Sequence, residues 1–117
     1  MEQNPLTSLY RVVQNRRANP AEGSYTCYLF SQGLDKILKK CGEECSEMLI
    51  AAKNLDLAPS PENAKEELAG EIADLVYHVL VLMNERGLPL SDVEEILKQR
   101  SAKIGNLKIF HQVDRQS

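Results

Sequence analysis

Residues 34–86 read LDKILKKCGEECSEMLIAAKNLDLAPSPENAKEELAGEIADLVYHVLVLMNER, with one strong breaker, Pro59-Ser60-Pro61, near the middle. Before the break, Leu34, Ile37, Leu38, Cys41, Cys45, Met48, Leu49 and Ala52 recur at three- and four-residue intervals, which predicts a helix from about Gly33 to Leu55. After it, Ser60 supplies an N-cap and Pro61 a first helical position. Leu68, Ile72, Leu75, Val79 and Leu82 form one face of this next helix, and Val76, Tyr77, Leu80, Val81 and Met83 make its second half apolar nearly all round. Such a helix needs burial on several sides.

Two acidic pairs, Glu44-x-x-Glu47 and Glu71-x-x-Asp74, stand symmetrically about Pro59. If the helices fold back there, the pairs arrive at one height, and three-residue spacing keeps each pair on one helical face. Lys40, Glu44, Glu47 and Ala51 form the strip beside the apolar stripe of the earlier helix. Glu67, Glu71, Asp74 and His78 are the one polar strip of the later helix, and polar groups along a buried helix are costly without partners. Helical bundles build metal sites from carboxylates converging between neighbouring helices. Two carboxylates about 4 Å apart repel by roughly 4 kcal/mol at an effective dielectric of 20, so four of them require protonation or a cation. All-oxygen ligands favour Mg²⁺ or Mn²⁺ over zinc, and Mg²⁺ with open positions suits chemistry on a polyphosphate. Spaced glutamates on helices are also common as solvated faces paired with lysines, and periodicity alone leaves both readings open.

Outward from this hairpin, Asn4-Pro5 starts a first helix that carries Leu6, Leu9, Tyr10, Val12 and Val13 and ends near Arg17. Asn19 to Tyr28, rich in Pro, Gly, Ser and Thr, reads as a loop of functional length. Gly87-Leu88-Pro89 ends the long helix, and Ser91-Asp92-Val93-Glu94 reads as a capping box opening a last helix with Val93, Ile96 and Leu97 inward. That helix is expected to stop by Gly105, leaving tails at 1–4 and from about 106. No strand-like alternation appears. The reading is one all-α domain of four to five helices over 117 residues. So short a chain covers its apolar helix most simply with a second copy, so a homodimer sharing a bundle is expected.

Composition narrows the function. A net charge of −3, 5% aromatics and no Trp argue against a nucleic-acid partner. The start Met1-Glu2-Gln3-Asn4 shows no signal-peptide pattern, and Ile72 to Met83 is too short and too interrupted to span a bilayer. A cytoplasmic protein without a membrane partner is expected. Cys27, Cys41 and Cys45 lack C-x-x-C spacing, and zinc would need His78 and His111 at large separations, so the cysteines read as small buried hydrophobes.

The blocks Lys40-Cys41-Gly42-Glu43-Glu44-Cys45-Ser46-Glu47, Ala51-Ala52-Lys53-Asn54 and Glu71-Ile72-Ala73-Asp74-Leu75-Val76-Tyr77-His78 resemble the phosphoribosyl-ATP pyrophosphatases of histidine biosynthesis. Gly23-Ser24-Tyr25-Thr26 is similar to that family's signature loop, and Leu9-Tyr10 with Arg16-Arg17 fits upstream. The E-x-x-E…E-x-x-D part alone is shared with the wider all-α MazG-like nucleotide pyrophosphatases. The resemblance implies an Mg²⁺-dependent hydrolase that cuts the α–β phosphoanhydride of phosphoribosyl-ATP, giving phosphoribosyl-AMP and pyrophosphate. It implies Glu44, Glu47, Glu71 and Asp74 as metal ligands, and Glu43 or Glu47 as the catalytic group that orients or deprotonates water. Lys40, Lys53, Arg16, Ser24, Tyr25 and Thr26 are its substrate-binding candidates, and His78 a hydrogen-bond partner behind the metal ligands. Leu55 to Asn63 looks a few residues longer than is usual in the family, and a phosphoribosyl-AMP cyclohydrolase on a separate chain is expected downstream. The rival readings are a housekeeping pyrophosphatase for (d)NTPs and a non-enzymatic helical adaptor.

Overall fold

A computed structural model describes residues 4–105, and it is all helical: α1 (Pro5–Ala18), α2 (Tyr25–Gln32), α3 (Leu34–Leu57), α4 (Pro61–Glu85) and α5 (Leu90–Gly105). The expected tails fall on residues 1–3 and 106–117, outside the described residues, as does His111; Asn4 belongs to the fold. Its side chain accepts a hydrogen bond from the Leu6 amide and Pro5 follows, the start that the dipeptide foretold.

The hairpin forms as read. α3 runs two residues past Leu55, so the break between α3 and α4 shrinks to Ala58–Ser60, and what looked like a long connection is mostly helix. The later helix ends in a Schellman turn: Leu88 N–H bonds to Met83 O at 2.8 Å and Gly87 N–H to Asn84 O at 3.1 Å, with Gly87 at φ 66°. Three boundaries differ from expectation. Residues 25–32, the first half of them expected in a loop, form α2, because the Ser24 hydroxyl caps the turn by accepting from the Cys27 amide. Gly33, at φ 88°, is the joint that ends α2 and opens α3, a backbone state that only glycine adopts freely. α5 begins at Leu90, so Ser91 lies inside its first turn instead of capping it.

The core gathers where α1 and α2 meet the hairpin's open end. Val13, Leu29, Ile37 and Val81 are fully buried, with Leu9, Phe30, Cys41, Tyr77 and Leu82 packed around them. α1 is tied to the C-terminal end of α4 by the Tyr10 hydroxyl donating to Leu88 O at 3.0 Å and by the Arg17 guanidinium on Asn84 O.

The inner line of α3 takes only part of the predicted apolar stripe. Ile37, Glu44 and Ala51 are buried and Cys41 of the stripe lies 3.5 Å from His78 O through its Sγ, whereas Leu38 and Leu49 are 46% and 60% exposed. On α4, His78 is buried while Ile72 and Val79 stay exposed. Glu44 and His78, from the polar strips, are therefore buried alongside Ile37 and Val81 from the apolar ones. The apolar strips, one residue further round each helix, lie together on one side of the antiparallel hairpin. No residue of α5 is buried, and its intended inner residues Ile96 and Leu97 are also exposed.

Candidate active site

Glu47 and Glu71 lie equidistant from Pro59, and the hairpin brings them together with Glu44: one carboxylate oxygen from each lies within 4.8 Å of the other two. Glu44 is buried at 7% exposure. One carboxylate oxygen of Glu44 and one of Glu71 are buried without a hydrogen-bond partner. An ionised carboxylate only accepts, so these groups cannot satisfy one another unless one carries a proton. Burial pushes the Glu44 carboxyl above its usual range, and the neighbouring Glu47 adds to the shift. Burial raises Glu71 too, reinforced by the charges of Glu47 and Asp74. Orphaned oxygens on an all-carboxylate set fit a hard divalent cation, which supplies what the protein does not. No Cys or His belongs to such a group among the described residues, and the three thiols are free.

Asp74 stands one turn beyond Glu71, outside the group of three. It lines a cavity of roughly 300 Å³ beside them, together with Glu47, Ala51, Asn54, Glu67 and Glu71. Matched height in sequence did not fix rotation about the helix axis, and Asp74 falls on the exposed rim.

Lys40 Nζ is 3.1 Å from Glu43 and 3.6 Å from Glu44, so its charge sits at the edge of the cluster. That contact holds the Glu43 carboxyl below its usual range, and Glu43 lies outside the group of three. Lys53 is not brought in: its side chain is 73% exposed and pairs with Asp56 at 3.5 Å. Asn54, one residue on, lines the cavity instead.

A larger cavity of about 830 Å³ adjoins the start of α2, lined by Arg16, Ser24, Tyr25, Cys27, Tyr28 and Phe30. Tyr25 joins the two regions. Its ring lines this cavity, while its hydroxyl is 3.1 Å from His78 Nε2. His78 Nδ1 is 2.7 Å from the Asp74 backbone oxygen, and a carbonyl can only accept, so Nδ1 carries the proton of that bond. The Thr26 hydroxyl is engaged by the Tyr77 hydroxyl. Tyr77 was legible only as part of the Tyr-His pair, and its place on an apolar face concealed its polar end.

A family model described as phosphoribosyl-ATP pyrophosphohydrolase matches residues 6–101. The chain belongs to that family. It is 50% identical over 105 residues to a phosphoribosyl-ATP pyrophosphatase of Clostridium botulinum, covering 90% of this chain and 88% of that protein. A phosphoribosyl-ATP pyrophosphatase of Clostridium acetobutylicum is 48% identical over 109 residues, 92% of each chain. The histidine biosynthesis bifunctional protein HisIE of Bacillus subtilis is 52% identical over 99 residues, which are 85% of this chain and 44% of that larger protein. The match to this phosphoribosyl-ATP pyrophosphohydrolase family member spans all five helices, including both halves of the carboxylate cluster and the Tyr25–His78 contact.

Proposed function

We propose that this chain is a phosphoribosyl-ATP diphosphatase of histidine biosynthesis, which hydrolyses the bond between the α and β phosphates to give phosphoribosyl-AMP and pyrophosphate. The observation that carries the reading is the convergence of Glu44, Glu47 and Glu71 in a member of this family. The cluster would hold Mg²⁺, with Asp74 at its rim as the fourth acidic group. A bound Mg²⁺ would supply neutralisation of polyphosphate charge at a site where three converging carboxylates outnumber the nearby Lys40 cation.

The chain's own groups divide the remaining work. Glu47 belongs to the cluster and lines its cavity, so it is the residue to orient the attacking water. Glu43, tied to Lys40 and held acidic, is the weaker base. Lys40 steers the anionic substrate toward an otherwise negative site. Arg16 and the capped start of α2, with Ser24 and Tyr25, line a cavity with room for the phosphoribosyl end. No helix among the described residues is long and apolar enough to cross a membrane, and a cytoplasmic setting suits the substrate. The product is a substrate for a phosphoribosyl-AMP cyclohydrolase.

Steady-state assays with phosphoribosyl-ATP and a panel of dNTPs test this reading. We expect kcat/KM for phosphoribosyl-ATP to exceed that for every dNTP by at least about a hundredfold, on the order of 3 kcal/mol of transition-state discrimination. Preference for a dNTP would instead make the protein a housekeeping pyrophosphatase.

The same reading includes a homodimer. Leu38, Leu49, Ile72 and Val79 expose an apolar strip on one side of the hairpin, and α5 leaves Ile96 and Leu97 uncovered. A contiguous apolar surface of this kind marks an interface. Sedimentation is expected to show a dimer that Leu49→Lys with Ile72→Lys converts to monomer. A wild-type monomer at micromolar concentration would rule the dimer out.

A further inference from the structure

Two successive residues of α2 meet two successive residues of α4. The Tyr25 hydroxyl is 3.1 Å from His78 Nε2, and the Thr26 hydroxyl bonds the Tyr77 hydroxyl. Their rings are packed as well. Tyr25 stacks on Tyr77 at 6.3 Å and 30°, and meets His78 edge-on at 5.8 Å and 74°. His78 is 5% exposed and anchored by Nδ1 to the Asp74 carbonyl, in the turn that carries the acidic residues.

Other contacts of the first turn of α2 lead away from α4: Cys27 Sγ donates to Arg16 O at 3.4 Å and accepts from the Ala21 amide at 3.3 Å. Leu29 is the only buried residue of this helix and lies in its second half. Tyr25 is 45% exposed, so burial alone does not fix its ring. The joint at Gly33 permits rotation of α2 as a unit, because glycine carries no side chain to restrict it. Register between the α2 start and the α4 turn therefore rests on the two polar contacts and the ring packing that accompanies them.

We propose that Tyr77 and His78 are positioning residues that act through Thr26 and Tyr25, latching the first turn of α2 onto the α4 turn beside the carboxylate cluster. The consequence is kinetic. Loosening the latch weakens binding of the substrate's sugar end while leaving the carboxylates in place, so KM rises and kcat and metal affinity hold. The kinetic part rests on the proposed activity; the latch itself does not.

The test compares Tyr77→Phe, His78→Asn and His78→Gln. Asparagine keeps an amide donor near the Nδ1 position and loses the partner of Tyr25, whereas glutamine restores a polar atom near Nε2. Expected are a rise in KM for phosphoribosyl-ATP of about tenfold in Tyr77→Phe and His78→Asn, a kcat within about twofold, and recovery toward wild type in His78→Gln. Mn²⁺ affinity, read by electron paramagnetic resonance on the free protein, should be unchanged in all three. Tyr25→Phe with His78→Asn should be no worse than either alone, since both remove one contact. Hydrogen exchange adds a reading independent of substrate: amides 25–28 lose protection in His78→Asn while those of 75–82 keep theirs. Wild-type KM in His78→Asn together with unchanged protection of 25–28, or multiplicative effects in the double variant, would overturn the latch. Failure of the wild type on phosphoribosyl-ATP, with the exchange difference between wild type and His78→Asn still present, would overturn the proposed substrate and leave the latch standing.

Discussion

Glu44→Gln is expected to lower kcat by at least about a thousandfold while making the metal-free protein more stable. The loss follows from removing one of the three converging carboxylates that would hold the metal. The gain follows from burial. Glu44 sits at 7% exposure with one oxygen unpartnered, and its carboxyl is pushed up by burial and by Glu47. A carboxyl raised in the folded state favours folding when protonated. Its contribution is present below the ordinary carboxylate range, about 4.3 for Glu, and is lost as pH rises through the raised value. Metal-free wild type should therefore lose stability on going from that range toward neutrality, with Glu71 contributing in the same sense. Glu43, held low by Lys40, contributes the opposite slope at lower pH. Thermal unfolding in EDTA from pH 4.5 to 8 checks this: Glu44→Gln should melt a few degrees above wild type at pH 7.5 and show a flatter pH dependence. Glu47→Gln should lose activity as fully, and Glu43→Gln less than about tenfold. Wild-type turnover in Glu44→Gln would place the chemistry elsewhere.

Removal of divalent metal is expected to have the second large effect. In excess EDTA turnover should fall by at least about a thousandfold and return with Mg²⁺ or Mn²⁺. An ion that binds only the folded chain stabilises it by about 2.7 kcal/mol at a hundred times its dissociation constant. For a domain of this size that is roughly a 10 °C rise in Tm. The rise should shrink toward pH 5, where protons on Glu44 and Glu71 compete with the ion. Calorimetry with and without MgCl₂ at two pH values reads all of this. A Tm that ignores Mg²⁺ at both would favour the adaptor reading over any metal-dependent enzyme.

The hairpin was legible because Pro59 and Pro61 leave no ambiguity about where the helices part, and symmetry about Pro59 placed Glu47 opposite Glu71. What spacing could not supply was rotation about each helix axis. It gives an apolar stripe on α3 but not which part of it turns inward: Ile37 and Cys41 do, with Glu44 and Ala51 beside them, whereas Leu38 and Leu49 are exposed. Glu44 takes a place on the inner line that an ordinary domain would give to an apolar residue, because the site lies between the helices. The same missing angle put Asp74 at the rim, although it shares a strip with Glu71, while Lys53, nine residues on from Glu44, projects from the opposite side of α3. α2 escaped notice for a different reason. Its start is written in Gly, Ser, Tyr and Thr, residues that propensity assigns to loops, and only the Ser24 cap and the burial of Leu29 make it a helix.

The most direct measurement of the central claim is ³¹P NMR of the products formed from phosphoribosyl-ATP with Mg²⁺ and with EDTA. The account expects pyrophosphate and phosphoribosyl-AMP in equal amounts with the metal and negligible turnover without it. Inorganic phosphate cleaved from the γ position, or pyrophosphate released at the same rate in EDTA, would contradict it.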